Sequence, residues 1–267
     1  SRINEVLDIE PTIVDEHKKD VTSTQKGYLQ FDDVTFSYPG AEKPALRNLS
    51  FSAAPGEITA IIGGTGSGKS SLLKLISRFY DTDSGSVLVD GINVKDIPVA
   101  ELRKKIGLVP QKAVLFTGSV KENILFGNEQ ATEGEMIHAA KVAQAYDFVS
   151  EMKEGFDSMI SQGGTNVSGG QKQRLSIARA LVRKPEIFLF DDSFSALDFK
   201  TDAKLRAALK EEINEATVLI VAQRVSTVMD ANRIIVLDEG YVVGVGTHKE
   251  LMDTCDVYKE IVSSQLS

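Results

Sequence analysis

Gly63-Gly64-Thr65-Gly66-Ser67-Gly68-Lys69-Ser70 follows the apolar run Ile58-Thr59-Ala60-Ile61-Ile62 and precedes a stretch, 71–79, with helical apolar spacing. The eight residues fit G-x-x-x-x-G-K-[ST], and the flanks supply the strand-loop-helix setting that the pattern requires. Glycines let the chain curl so that successive N–H groups face phosphate oxygens, and the following helix points its positive end at the same place. Lys69, Ser70 and the neighbouring Ser71 stand where side chains reach phosphate oxygens and Mg²⁺. This reads as the phosphate-binding loop of a nucleoside triphosphatase, and it sets the expected class: an α/β P-loop NTPase core with a mostly parallel sheet.

Working outward, 28–38 and 46–51 alternate apolar and polar residues across a turn containing Pro and Gly, which predicts an antiparallel β subdomain. Short apolar runs at 58–62, 106–109, 187–190, 218–221 and 234–237 alternate with helical patterns, the signature of a parallel sheet. A nucleotide is expected at the carboxyl ends of those strands. From about 116 to 182 the pattern is mainly helical with no buried-strand run, so a helical subdomain is expected at about 112–182. The chain starts at Ser1, and 2–9 has helical apolar spacing with nothing of its own to pack on. Residues 1–26 are read as a linker from a missing preceding segment, and 27–267 as the domain.

The composition sets limits. A chain of 267 residues, 42% hydrophobic, is long enough to bury a full core. A formal charge of −8 argues against a nucleic-acid backbone as the main partner. The single cysteine, Cys255, excludes an internal disulfide framework and is expected to be inert in the last helix. No apolar run in the sequence approaches the roughly 20 residues of a membrane-spanning helix.

Two further motifs carry chemistry. Ile187-Phe188-Leu189-Phe190-Asp191 is an apolar strand ending in a carboxylate, an arrangement that sets Asp191 beside a phosphate-loop Mg²⁺. Ser168-Gly169-Gly170-Gln171 opens a helix over 172–181 with Ser168 as its N-cap, a second anion-binding geometry. With Val167 in front, this stretch resembles the LSGGQ signature of the ABC transporter ATPases, with Val in place of the usual Leu. Together with the phosphate loop upstream and the Asp-ended strand downstream, the resemblance covers about 27–267.

The resemblance implies further roles. Tyr38 stands where the family has its adenine-stacking aromatic, and Gln111 where a glutamine contacts Mg²⁺ and senses the membrane domain. Ser195-Ala196-Leu197-Asp198 matches the loop that communicates across the dimer. Leu115 to Ser119 with Glu122-Asn123-Ile124 looks like the exporter branch. Ser161-Gln162-Gly163-Gly164 departs from the Gly-Glu-Arg-Gly type of sequence that touches the coupling helices in many exporters. In this family two ATP-binding domains stack head-to-tail, so each ATP lies between one chain's phosphate loop and the other's signature motif.

Two departures fall on the hydrolytic machinery. Where the family carries a Glu as general base, this chain has Asp192, whose carboxylate is set back by about 1.5 Å. Where the family has a switch His, this chain has Gln223, which can hydrogen-bond a phosphate but cannot become cationic. His17, His138 and His248 lie elsewhere and are read as solvated surface residues. The resulting expectation is an export motor domain, weak as an ATPase alone, that pairs with a different subunit in a heterodimer at the cytoplasmic face of a membrane. A homodimeric exporter ATPase, a regulatory nucleotide-binding module and a soluble non-transport ATPase are the competing classes.

Overall fold

The computed structural model describes residues 26–64 and 66–266. Apart from Lys26, the linker reading of 1–26 lies outside the described residues, as do His17 and Thr65. The period-two stretches form β1 (Leu29–Phe36) and β2 (Leu46–Ala53), antiparallel, with Phe31 opposite Phe51. Their rings stack at 4.7 Å, a cross-strand pair that helps hold the register. β3 (Ile58–Gly63) runs through the loop into α1 (Lys69–Ile76). β4 (Ser84–Val89) and β5 (Ile92–Asn93) then complete a four-stranded sheet in the order β2-β1-β4-β5.

α1 is shorter than the periodicity suggested. It stops at Ile76 because Arg78 takes a left-handed φ of 56°, which ends the helix and leaves Phe79 exposed. α2 (Val99–Lys104) leads to β6 (Ile106–Val109). There follow β7 (Gly118–Ser119), α3 (Val120–Leu125), α4 (Glu133–Val142), α5 (Tyr146–Glu151), β8 (Met159–Ile160) and α6 (Gly169–Val182). Within 116–182, which reads as mainly helical, β7 and β8 pair in a two-residue antiparallel ladder. Two residues carry no periodicity to detect.

The chain closes with β9 (Ile187–Asp191), α7 (Phe199–Glu212), β10 (Thr217–Ala222), α8 (Val225–Val228), β11 (Arg233–Asp238), β12 (Tyr241–Gly246), α9 (His248–Thr254) and α10 (Asp256–Leu266). The large sheet has the order β12-β11-β3-β10-β9-β6, parallel except for the edge strand β12. Apart from the edge strand β12, its strands are apolar runs because both faces are covered. On β10, Val218, Ile220 and Ala222 pack into a core that includes Leu175, Leu205 and Tyr258 of the helices. Leu219 and Val221 pack into a second core with Phe31, Leu49 and Leu72. Each such buried Leu, Ile or Phe contributes about 1.5–3 kcal/mol.

Two minor expectations change. Cys255 is buried at the C-cap of α9, between the last two helices rather than within α10. His248, at the start of α9, is not simply solvated: its Nδ1 lies 2.5 Å from the Tyr258 hydroxyl in the wedge between α9 and α10. His138 is exposed and 2.8 Å from the Glu212 carboxylate.

Candidate functional site

The loop between β3 and α1 is shaped by steric need. A Cβ on Gly68 would stand 2.4 Å from the Ala45 carbonyl oxygen, and its φ is +97°. A Cβ on Gly63 would meet Ser67 Oγ at 2.5 Å and the Leu237 carbonyl oxygen at 2.6 Å. Only glycine fits such contacts. Gly68 is also the N-cap of α1, with no side-chain cap and no acidic residue in the first turn. The positive end of the helix is therefore left for an anion.

Lys69 lies beneath this loop, its Nζ donating to the carbonyls of Gly63 at 3.0 Å and Gly64 at 3.4 Å. Burial lowers its pKa, and the charges of Asp192 and Asp191 oppose that shift. The Ser70 hydroxyl donates to Asp191 Oδ1 at 3.2 Å, so the carboxylate ending β9 meets the first turn of α1. Asp192 is buried with a left-handed φ of 49°, and its N–H donates to the Val221 carbonyl at 2.7 Å. Gln111 Nε2 donates to Asp192 Oδ2 at 3.3 Å. Burial raises both carboxyl pKa values; the Ser70 hydrogen bond opposes it at Asp191, and the Gln223 N–H at Asp192.

Tyr38 follows β1 and closes the other end. Its hydroxyl is 2.8 Å from Ser71 Oγ and accepts from Lys74 Nζ at 3.4 Å. Phe36 and Tyr80 meet its ring edge-on at 4.9 and 5.2 Å. The result is a cavity of about 390 Å³ lined by Tyr38, Ala45, 66–71, Gln111, Asp192 and Gln223. That volume lies in the range of small-ligand sites, about 300–1,000 Å³. The hydroxyl of Ser70, the carboxylate of Asp191 and the side-chain amide of Gln111 offer hard oxygen donors, a set that suits Mg²⁺.

Ser168, Gly169, Gly170 and Gln171 lie apart from that cavity. Ser168 Oγ accepts from the Gln171 N–H at 3.1 Å and Gln171 Oε1 accepts from the Ser168 N–H at 3.0 Å, a capping box on α6. Ser168 and Gly169 are exposed. A Cβ on Gly170 would come 3.2 Å from the Ala196 carbonyl, so 195–198 runs directly beneath this helix start. Gly163 and Gly164 of the departing stretch have φ of 70° and 71°.

Several contacts of this region carry no sequence signal. Gln173 of α6 donates its side chain to the Gln111 carbonyl. Ser193 Oγ donates to the Val109 carbonyl at 2.7 Å, and Ser195 Oγ to the Asp192 carbonyl at 3.0 Å. Buried Asp202 accepts from Arg224 at 2.9 Å, Thr227 at 2.7 Å and Arg206 at 2.6 Å. Apart from Ser195, these partners are tertiary or lie on neighbouring turns with unremarkable spacing.

Comparison with known proteins fits this geometry. A family model described as ABC transporter matches residues 46–195, more than half of the chain. An uncharacterised ABC transporter ATP-binding protein of Bacillus subtilis (strain 168) is 47% identical over 265 residues, covering 99% of this chain and 45% of that protein. A Staphylococcus aureus (strain NCTC 8325) protein provisionally named a multidrug export ATP-binding/permease protein is 43% identical over 241 residues, covering 90% and 42%. A solved bacterial Atm1-family ABC exporter with ATP bound superposes with a TM-score of 0.87 at 36% identity, covering 92% of this chain and 43% of that one. The chain thus spans less than half the length of these relatives. No helix among the described residues is long and apolar enough to cross a membrane.

Proposed function

The chain belongs to the ABC transporter family, and we propose that it is the ATP-binding motor domain of an exporter, with a pocket that holds Mg·ATP and hydrolyses it slowly. Its relatives support the exporter reading, since one solved neighbour is an ABC exporter with ATP bound. The single observation that carries slow turnover is the identity and setting of Asp192. It stands at the pocket where the family's general base would be, one carbon–carbon bond short, and its carboxylate already accepts from Gln111. A misplacement of about 1 Å costs on the order of 10²-fold in rate.

In this reading the Tyr38 ring stacks on the base, and Lys69 exchanges the carbonyls of Gly63 and Gly64 for phosphate oxygens. The backbone of 63–71 and the start of α1 hold the remaining phosphate charge. Ser70, Asp191 and Gln111 would hold Mg²⁺, which would neutralise charge on the phosphoryl oxygens. Asp192 takes the proton of the attacking water, and Gln223 hydrogen-bonds a phosphate oxygen without adding positive charge. Ser168 to Gln171 complete the pocket of a second ATP-binding domain, packed head-to-tail. That partner is a different subunit carrying the Glu and His that this chain lacks. Both are joined to transmembrane domains and work on the cytoplasmic side.

The test is Mg·ATP binding and single-turnover hydrolysis by this chain and by Asp192→Glu with Gln223→His, at concentrations that permit dimers. Tight binding with slow turnover, accelerated by the double change, supports the reading. Brisk turnover of the unaltered chain would make it an ordinary homodimeric exporter ATPase. Binding with no acceleration would make it a regulatory module.

A further inference from the structure

The pocket residue Gln223 belongs to a short segment between β10 and α8 that is held from outside the pocket. One hold comes from α7: Arg224 donates to Asp202 Oδ2 at 2.9 Å, to the Leu197 carbonyl at 2.9 Å and to the Phe194 carbonyl. The other comes from α10. Gln265 Nε2 donates to the Gln223 carbonyl at 2.6 Å, while its Oε1 accepts from the Val225 N–H at 2.8 Å. One side-chain amide thus spans both sides of Arg224, satisfying a carbonyl and an N–H as a neighbouring strand would.

The Val225 N–H matters because α8 starts there. Arg224, its N-cap, provides no side-chain cap, so the first N–H groups of this four-residue helix need partners from elsewhere. Gln265 supplies one across a sequence distance of 40 residues. The Gln223 carbonyl fixed by the same amide is part of the peptide that carries Gln223 to the pocket. The Gln223 N–H, in turn, faces Asp192 and opposes the rise that burial causes in its pKa. Gln265 therefore lies one residue from the site on a helix that lines no part of it.

We propose that Gln265 is a positioning residue for the pocket, fixing the backbone of 223–225 so that Gln223 is aimed at the reacting phosphate. This rests on the reading of the cavity as a nucleotide site. It makes α10 a determinant of turnover with no contact to nucleotide.

Two substitutions separate positioning from mere packing. Gln265→Met keeps the length and loses both hydrogen bonds. Gln265→Glu keeps an acceptor for the Val225 N–H and loses the donor to the Gln223 carbonyl. Amide exchange, the Kd for Mg·ATP and single-turnover hydrolysis of radiolabelled ATP are measured on the full chain and both variants. Loss of one such hydrogen bond is expected to change a rate or equilibrium by about fivefold. Val225 exchange should therefore quicken by about fivefold in Gln265→Met and stay within about twofold in Gln265→Glu. Turnover should fall by about fivefold in both, with Kd within about twofold of the unaltered chain.

Unchanged Val225 exchange in Gln265→Met overturns the proposal, as does turnover in either variant equal to that of the unaltered chain. So does an unaltered chain that binds Mg·ATP but never turns it over. An unaltered chain that fails to bind Mg·ATP instead overturns the reading of the cavity itself.

Discussion

Gln111 and Asp192, 81 residues apart, meet across the mouth of the sheet, the amide nitrogen 3.3 Å from the carboxylate oxygen. The contact joins the loop after β6 to the turn after β9. Gln173 of α6 reaches the Gln111 carbonyl, so the helix that starts at Ser168 is linked to the acid of the pocket through one residue.

Lys69 has no counter-anion other than Asp191 and Asp192 among the causes that shift its pKa, and its hydrogen bonds go to two loop carbonyls. Lys69→Ala should weaken Mg·ATP binding by about 10–100-fold, the scale of a charged hydrogen-bond donor to phosphate. Isothermal titration would read it. Affinity unchanged within a factor of two would remove Lys69 from the phosphate site.

Tyr38 separates base from phosphate recognition. Removing a stacking ring costs about 1–3 kcal/mol per base, so Tyr38→Ala should bind ATP roughly 5–150-fold more weakly. Inorganic tripolyphosphate should bind as before. Tyr38→Phe keeps the ring and loses only the hydroxyl contacts to Ser71 and Lys74, so its ATP affinity should stay within about fivefold. Equal losses for ATP and tripolyphosphate in Tyr38→Ala would place the ring elsewhere in the mechanism.

The loop glycines should differ sharply in tolerance. A Cβ at Gly68 collides with the Ala45 carbonyl and the backbone there is left-handed, whereas a Cβ at Gly64 meets nothing within 4 Å. Gly68→Ala should cost about 1–3 kcal/mol and lower Tm by about 2–4 °C per kcal/mol for a chain of this size. Gly64→Ala should melt within about 1 °C of the unaltered chain. Calorimetric melts without nucleotide decide it.

Asp192 should make stability depend on pH in a defined direction. Burial raises its folded pKa above the unfolded value of about 3.9. Over the interval between those two values the folded chain binds more protons, so stability falls as pH rises through it. Asp192→Asn removes the ionisation and suits the left-handed backbone. It should therefore raise Tm at neutral pH, and the gain should vanish below about pH 4. Melts at both pH values in metal-free buffer give the comparison, and a gain that persists in acid would assign the effect to packing.

The sheet and its loop were readable because their physics is local. An apolar run and a stretch of helical spacing bracket Gly63 to Ser70, and two-sided burial turns β9, β10 and β11 into apolar runs. The four-stranded antiparallel sheet was half visible, in the alternation of β1 and β2. The ladder of Gly118–Ser119 with Met159–Ile160 was not, because its two residues need a partner 40 positions away to become a strand. The same holds at the site. Gly63, Lys69 and Ser70 announce themselves by spacing, whereas Gln173, Asp202 and Gln265 are ordinary polar residues whose meaning lies in what the fold brings beside them.

The parallel strands β3, β9 and β10, which lead into the cavity, bury residues on both faces. Ile61 and Ile62 of β3, Leu189 and Phe190 of β9, and Val221 and Ala222 of β10 divide between two cores. The floor of the pocket consequently has no slack, since neither face can yield without opening a void. Such a molecule works like a clamp with a fixed bed and short pivots: any travel on ligand arrival is confined to the few peptides after Gly63, Val109, Asp191 and Ala222. The stroke at the cavity is then set by the length and tethering of those joints, and the sheet serves as the frame against which they push.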